Sequence, residues 1–402
     1  MTRTDPMAAL LSPESVAALC HRVGKHFLPA GLLNRLDAQR HDLRAQPTLA
    51  GDERLRARWL DTVLDKFDGR YDYNTYLALD LLDLPDPTGE PVDPRAAATR
   101  RDLLVCFLLA DVLAFEGRLD TCHDDRRLPL LRPSSELRAK RTHLALRAGA
   151  SAAERLFGNG LDLGAHPGRA TTALVHAVTE RLSTGQRRWW PLTMLPVYRV
   201  HDEWMFIRVL QAFEATFAQL AVWLAHAVTL IDTGRLGRAD TAITAATTLL
   251  GETRPLFSLM ATLQRDAFHA FRAYTDGASA IQSASFKLVE ILAGGPPQPA
   301  RLASSAYDHM RHIRDLATGG VWRTLPQAIA GVRTTEEARL LHSSLAEFVA
   351  AIHRWRTTHL ALARRMLGAA VPGTGATDGV AYLDATRHLP TLDRSHRLEA
   401  VA

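Results

Sequence analysis

The sequence predicts an all-α fold. Three observations carry this: apolar residues recur at steps of three and four along most of the chain, period-2 alternation bounded by turns is nearly absent, and helix start and stop signals bracket the periodic runs. Residues 13–68 read as two or three amphipathic helices. The first opens with Ser12 as N-cap and Pro13 at the first helical position, where a missing N–H costs nothing. "YDYNTYLALDLL" (Tyr71–Leu82) precedes a turn-rich segment, "LPDPTGEPVDP", and an apolar helix is expected over Arg101–Arg118. Further helices fill 135–185. A long helix is expected from about Asp202 to Asp232, another from about Asp240 to Tyr274, and a short one over Ser283–Leu292, before "GGPPQPAR" breaks the chain. The last long helix starts at Thr334 or Thr335 in the capping pattern "TTEE" and stops at Gly368.

The chain has 402 residues, 47% hydrophobic and 23% charged, which excludes disordered and collagen-like classes and leaves ample material for a core. Its net charge of +5 comes almost wholly from arginine, since Lys25, Lys66, Lys140 and Lys287 are the four lysines among 48 basic residues. Acids interleave with them, as in "DERLRARWLDTVLDK", so these are solvated helix faces and no nucleic-acid partner is expected. Cys20, Cys106 and Cys122 form neither a CxxC pair nor a haem-attachment motif and read as buried free thiols of a reducing compartment. "MTRTDPMAALLSPES" lacks the apolar core of a signal peptide, and the run Phe217–Ile231 is interrupted by Gln219 and His226; a cytoplasmic protein without a membrane span is expected.

Chemistry-bearing residues emerge from the last helix. Leu341, Leu345, Phe348, Ile352, Trp355, His359, Leu362 and Met366 share one stripe, so His359 is predicted to face the core. Burying an imidazole without a partner costs roughly 1–3 kcal/mol. His359 must therefore be hydrogen-bonded or bind a metal, and its spacing alone leaves both open. Fourteen positions later comes Gly373-Thr374-Gly375, by itself only a turn signal.

Four stretches in fixed order, "HDEWMFIRVLQAFE" (His201–Glu214), "FHAFRAYTDGASAIQSASFKLVEILAG" (Phe268–Gly294), "WRTTHLALARRMLG" (Trp355–Gly368) and "GTGATDGVAYL" (Gly373–Leu383), resemble the tryptophan 2,3-dioxygenase and indoleamine dioxygenase superfamily of haem oxygenases. Tyr71–Leu82 is similar to its N-terminal segment, and the resemblance covers about half of the chain. It implies a multi-helix bundle binding haem b, with His359 as the proximal iron ligand and Trp355 and Phe206 beside the cofactor. It also implies that Arg272 grips the carboxylate of an amino-acid substrate, as a guanidinium fork can. By the same resemblance, Gly373 and Thr374 contact the substrate head group, while Phe206, Leu210, Phe268 and Phe271 line its ring. Tyr73 and Tyr76 match residues that reach over a neighbouring subunit's site, which implies a homo-oligomer, a dimer or tetramer.

The sequence departs from the family in two places. The distal histidine position is Leu210, preceded by Val209, so the pocket roof should be apolar. A long stretch also separates Asp80 from His201. The expected organisation is an N-terminal helical extension over 1–70 and a haem oxygenase domain over 71–402 carrying an inserted helical region at about 84–200. The expected function is haem-dependent oxidation, by dioxygen, of the ring of an aromatic α-amino acid, tryptophan or a substituted tryptophan, in specialised metabolism. Mono-oxygenation on the same scaffold, or a haem carrier or sensor, are the alternatives.

Overall fold

A computed structural model describes residues 11–386 apart from 90–91, 123–124, 165, 279, 295–301, 303–309, 319–322, 334 and 368–379. As predicted, the described residues are helical. The one extended pairing among them is an isolated parallel bridge between Leu130 and Val200. The chain divides into two compact units. The first comprises Met1–Leu84, Asp102–Ala212 and Ser258–Ala278; the second comprises Pro85–Arg101, Phe213–Phe257 and Ser279–Ala402.

The first unit begins with α1 (Pro13–Val23), α2 (Ala30–Arg44), α3 (Gly51–Val63) and the single turn α4 (Tyr73–Tyr76). Ser12 caps α1 as expected, its hydroxyl accepting the Ser15 N–H at 3.1 Å. Val16, Cys20, Leu36, Trp59 and Leu60 bury into one core with Leu81, Trp189, Leu192 and Leu195. The amphipathic N-terminal helices complete their apolar faces with residues 189–195, and 85–101 belongs to the second unit. A fully buried ion pair, Lys25 Nζ to Asp65 Oδ2 at 2.8 Å, fixes the register of this core, with Lys25 also donating to the Thr62 carbonyl at 3.1 Å. Beyond α5 (Pro94–Thr121), which starts seven residues earlier than the apolar run suggested because Pro94 and three alanines extend it, come α6 (Ser135–Phe157), α7 (Pro167–Arg181) and α8 (Thr184–Trp189).

The helix α9 (Asp202–Asp232) has the predicted bounds. It is long and apolar enough to cross a membrane by length and composition, yet 78% of its most apolar window is buried, as in a core helix. The single helix expected from Asp240 to Tyr274 is instead three: α10 (Leu236–Gly251), α11 (Arg254–Met260) and α12 (Arg265–Arg272). Pro255 lacks an N–H and so belongs to a first turn, and Gln264 adopts an extended conformation at the N-cap of α12; both features break the periodic run.

In the second unit follow α13 (Ala284–Gly294), α14 (Arg311–Thr318), α15 (Leu325–Ala330), α16 (Thr335–Leu367) and α17 (Val380–Ala385). α16 packs along α10, and Leu341, Leu345, Phe348, Ile352 and Met366 are buried, so the predicted stripe is the real contact face. Cys20 and Cys106 are buried free thiols; Cys122, expected to be buried too, is exposed near the C-terminal end of α5.

Candidate functional site

Two separate groupings of the expected residues emerge, one in each unit. In the first unit, Phe206 and Leu210 lie one turn apart on α9, both half-buried. α12 presents Phe268 and Phe271, three residues apart on one helix face. The Phe206 ring lies 5.8 Å from Phe268 and 5.0 Å from Phe271, and these two meet edge-on at 5.6 Å. Phe271 is wholly buried while Phe206 and Phe268 are half-buried, so the cluster is a wall with a buried base and a reachable face. Arg272 closes α12, half-buried next to this wall. Desolvation lowers its pKa from the ordinary guanidinium value, but that value is so high that it stays a cation.

Tyr73 and Tyr76 are 3% and 2% exposed, in one core with Leu77, Trp204 and Ile207 of the same chain. Their rings pack on Trp204 and Ile207 of α9. Asp72 caps α4 by accepting the Thr75 N–H at 2.8 Å. The Tyr76 ring stands 6.5 Å from Phe206, and its hydroxyl donates to Glu203 Oε1 at 3.4 Å. Glu203 Oε1 also accepts the Val197 N–H at 2.7 Å, and Oε2 the Tyr198 N–H at 3.0 Å. Burial pushes the Glu203 carboxyl up to about 8 against these donors. One turn beyond the wall residues, Gln211 Nε2 donates to the Leu77 carbonyl at 2.8 Å. Gly277 lets the chain pass closely, since a Cβ there would lie 2.8 Å from the Tyr71 carbonyl oxygen.

In the second unit, Trp355 on α16 sits among Phe213, Phe217, Phe257 and Phe286, with ring centroids 5.1–5.8 Å away. His359 follows one turn later, 5.3 Å from the Trp355 ring. It is half-buried, less deep than the stripe predicted, because it lies toward the C-terminal end where Leu362 is half-buried too. Among the described residues its imidazole has no hydrogen-bond partner, and burial pushes its pKa down to about 4. Among the described residues the neighbouring Trp355 indole N–H is likewise buried without an acceptor. Arg356 donates to Glu290 Oε1, and Lys287 Nζ lies 3.0 Å from Glu290 Oε2, which ties α16 to α13.

Among the described residues no three His, Cys, Asp or Glu side chains gather as a metal site. A lone neutral imidazole with an uncommitted lone pair is a donor that would suit a haem iron, whose porphyrin would bring its own nitrogen ligands. Gly373 and Thr374, expected at the substrate head group, lie outside the described residues.

The sequence reading missed the buried polar residues around the wall. Besides Glu203 and Gln211, the fully buried Arg141 donates to Glu116 Oε1 at 2.9 Å, Asp202 Oδ2 at 2.8 Å and the Thr262 hydroxyl at 3.1 Å. The signal was present on α9, where Asp202, Glu203, Arg208, Gln211, Glu214 and Gln219 interrupt an otherwise apolar helix.

No family model matches the chain. Three curated proteins are similar to it, each a tryptophan 2,3-dioxygenase. That of Anaeromyxobacter sp. (strain K) is 29% identical over 224 residues, and that of Anaeromyxobacter dehalogenans (strain 2CP-C) is 28% identical over 224 residues; each alignment spans 47% of this chain and 83% of the relative. That of Herpetosiphon aurantiacus is 26% identical over 218 residues, spanning 46% of this chain and 84% of the relative. With an all-α fold and the ordered stretches that carry Phe206, Arg272 and His359, these likenesses support a relationship to the tryptophan 2,3-dioxygenase and indoleamine dioxygenase superfamily over about half of the chain.

Proposed function

We propose that the chain is a haem b-dependent oxygenase that oxidises the ring of an aromatic α-amino acid, tryptophan or a ring-substituted tryptophan, with dioxygen. The observation that carries the reading is His359, a half-buried imidazole on a rigid helix with no hydrogen-bond partner among the described residues and a pKa near 4. Its lone pair is free of a proton at neutral pH, the state an iron ligand requires. Bound haem would supply the dioxygen chemistry. The chain's own residues bind and orient: Arg272 holds the substrate carboxylate with paired hydrogen bonds, Phe206 and Phe268 offer faces to the ring, and Trp355 packs one side of His359. Thr374 and Gly373 are assigned to the amino-acid head group by family resemblance.

Leu210 favours attention to the second outcome, mono-oxygenation. An apolar side chain at this place offers no base to the indole N–H, so orientation rather than proton removal is what the pocket contributes. The visible absorption spectrum of the purified protein, recorded with and without L-tryptophan, tests the haem and substrate assignments together. A haem band that shifts on tryptophan addition is expected. A protein that takes up haem but gives no product with any aromatic amino acid would move the reading to a carrier or sensor. Mass analysis of the product made under labelled dioxygen then distinguishes two incorporated oxygens from one.

A further inference from the structure

We propose that Arg141 is a positioning residue for α12, through which the stretch between Leu82 and His201 sets the pose of Phe268, Phe271 and Arg272. The inference rests on the assignment of that wall and guanidinium to an aromatic amino acid. Arg141 lies on α6 and its partner Glu116 on α5, both outside the stretches that resemble the family. Arg141 is fully buried and spreads its hydrogen bonds over α5, α9 and the break before α12. Nη1 donates to Glu116 Oε1 at 2.9 Å, and Nη2 to Asp202 Oδ2 at 2.8 Å, at the start of α9. Nε donates to the Thr262 hydroxyl at 3.1 Å and Nη2 to the Thr262 carbonyl at 3.1 Å. A planar guanidinium fork serves acceptors in several directions at once, where an ammonium has a single centre. Asp202 passes the anchor on. Its Oδ2 also accepts the Gln264 N–H at 2.8 Å, and Gln264 Nε2 lies 3.3 Å from Oδ1. Gln264 is the N-cap of α12 and its side chain makes no cap hydrogen bond, so the first turn takes its direction from Asp202 and Arg141. A helix of 8 residues is too short to hold its own direction. Arg272 ends it, roughly 12 Å along the axis from the cap, so a tilt of about 5° at the start moves the guanidinium by about 1 Å. Misplacement on that scale costs up to about a hundredfold where paired hydrogen bonds must align. Arg141 touches no substrate in this scheme.

The test uses the full-length holoprotein and two variants. Arg141→Lys keeps the charge but not the fork, and Thr262→Val removes the hydroxyl that Nε reaches. Equilibrium dialysis with L-tryptophan should give roughly tenfold weaker binding for Arg141→Lys and about fivefold weaker binding for Thr262→Val, with unchanged haem absorbance. A purely structural ion cluster would lower the urea midpoint and leave the affinity of the folded protein alone. Affinity within about twofold of the wild type in either variant would therefore overturn the positioning role. If Arg141→Lys does not fold, Thr262→Val decides alone. If the wild-type protein binds no aromatic amino acid, the functional assignment fails, yet amide hydrogen exchange still judges Arg141. The α12 amides of Thr262→Val should then exchange roughly tenfold faster, relative to those of α9, than in the wild type. A ratio unchanged within about twofold would refute the link between Arg141 and α12.

Discussion

Glu203 gives the chain a pH dependence whose sign and size follow from its surroundings. The carboxyl is fully buried, and burial pushes it up to about 8, against an ordinary value near 4.5. A group raised in this way binds its proton more tightly when folded. Its contribution to stability is therefore complete below about pH 4.5 and is lost progressively as pH rises to about 8. Across that window the loss is about 1.4 kcal/mol per pH unit, or roughly 3 kcal/mol between pH 5.5 and 7.5. Lys25 and the donors Val197 N–H, Tyr198 N–H and the Tyr76 hydroxyl act in the opposite sense. Glu203→Gln removes the titration. It also sets an amide NH₂ against the Tyr198 N–H, a pH-independent cost of about 1–3 kcal/mol for the donor left without an acceptor. The variant should therefore be less stable than the wild type at pH 5.5, and the gap should close or reverse at pH 7.5. Urea unfolding of both proteins, followed by circular dichroism at the two pH values, measures this. Other titrating groups cancel in the difference. A gap that stays constant within about 0.5 kcal/mol would show that Glu203 carries the same charge in the folded and unfolded chain.

His359→Ala should abolish stoichiometric haem uptake while helical circular dichroism is kept; a variant that retains a normal haem band would refute the axial assignment. Arg272→Leu should weaken binding of amino-acid substrates by about 2–5 kcal/mol and leave haem in place, and equal binding of tryptophan and tryptamine by the wild type would show that no carboxylate clamp exists. Arg141→Met leaves Glu116 and Asp202 buried without their shared cation and should cost about 3–5 kcal/mol in urea unfolding, since both pairs are essentially inaccessible to water. Leu210→His should alter rate or product distribution in a turnover assay without creating activity from nothing; an inactive wild type activated by this change would make the missing base the decisive defect.

The fold was legible where one helix face alone decides the outcome. The stripe of α16 needs only its spacing to be recognised, and Leu341, Phe348 and Ile352 are buried on the predicted face. The run from Asp240 to Tyr274 misled because its period survives the breaks at Pro255 and Gln264, and a period does not report backbone direction. The boundary expected at residue 70 turns on a different kind of information. Whether amphipathic helices form a module of their own depends on what covers their apolar faces, and here the cover is Trp189, Leu192 and Leu195, more than a hundred residues away in sequence.

The candidate site shows the same division between what a residue type signals and what its neighbours decide. Phe206, Phe268 and Phe271 could be grouped from the sequence because matching stretches occur in a fixed order, and they do meet in one wall. Glu203 stands in the same quoted stretch, yet its role could not be read there, since its partners are backbone N–H groups of Val197 and Tyr198, whose side chains give no clue to them. Tyr76 carries the argument furthest. Its aromatic identity made it a candidate for a substrate pocket, and its family match made it a candidate for lending to a second subunit, but its hydroxyl and ring are both engaged by α9 of its own chain.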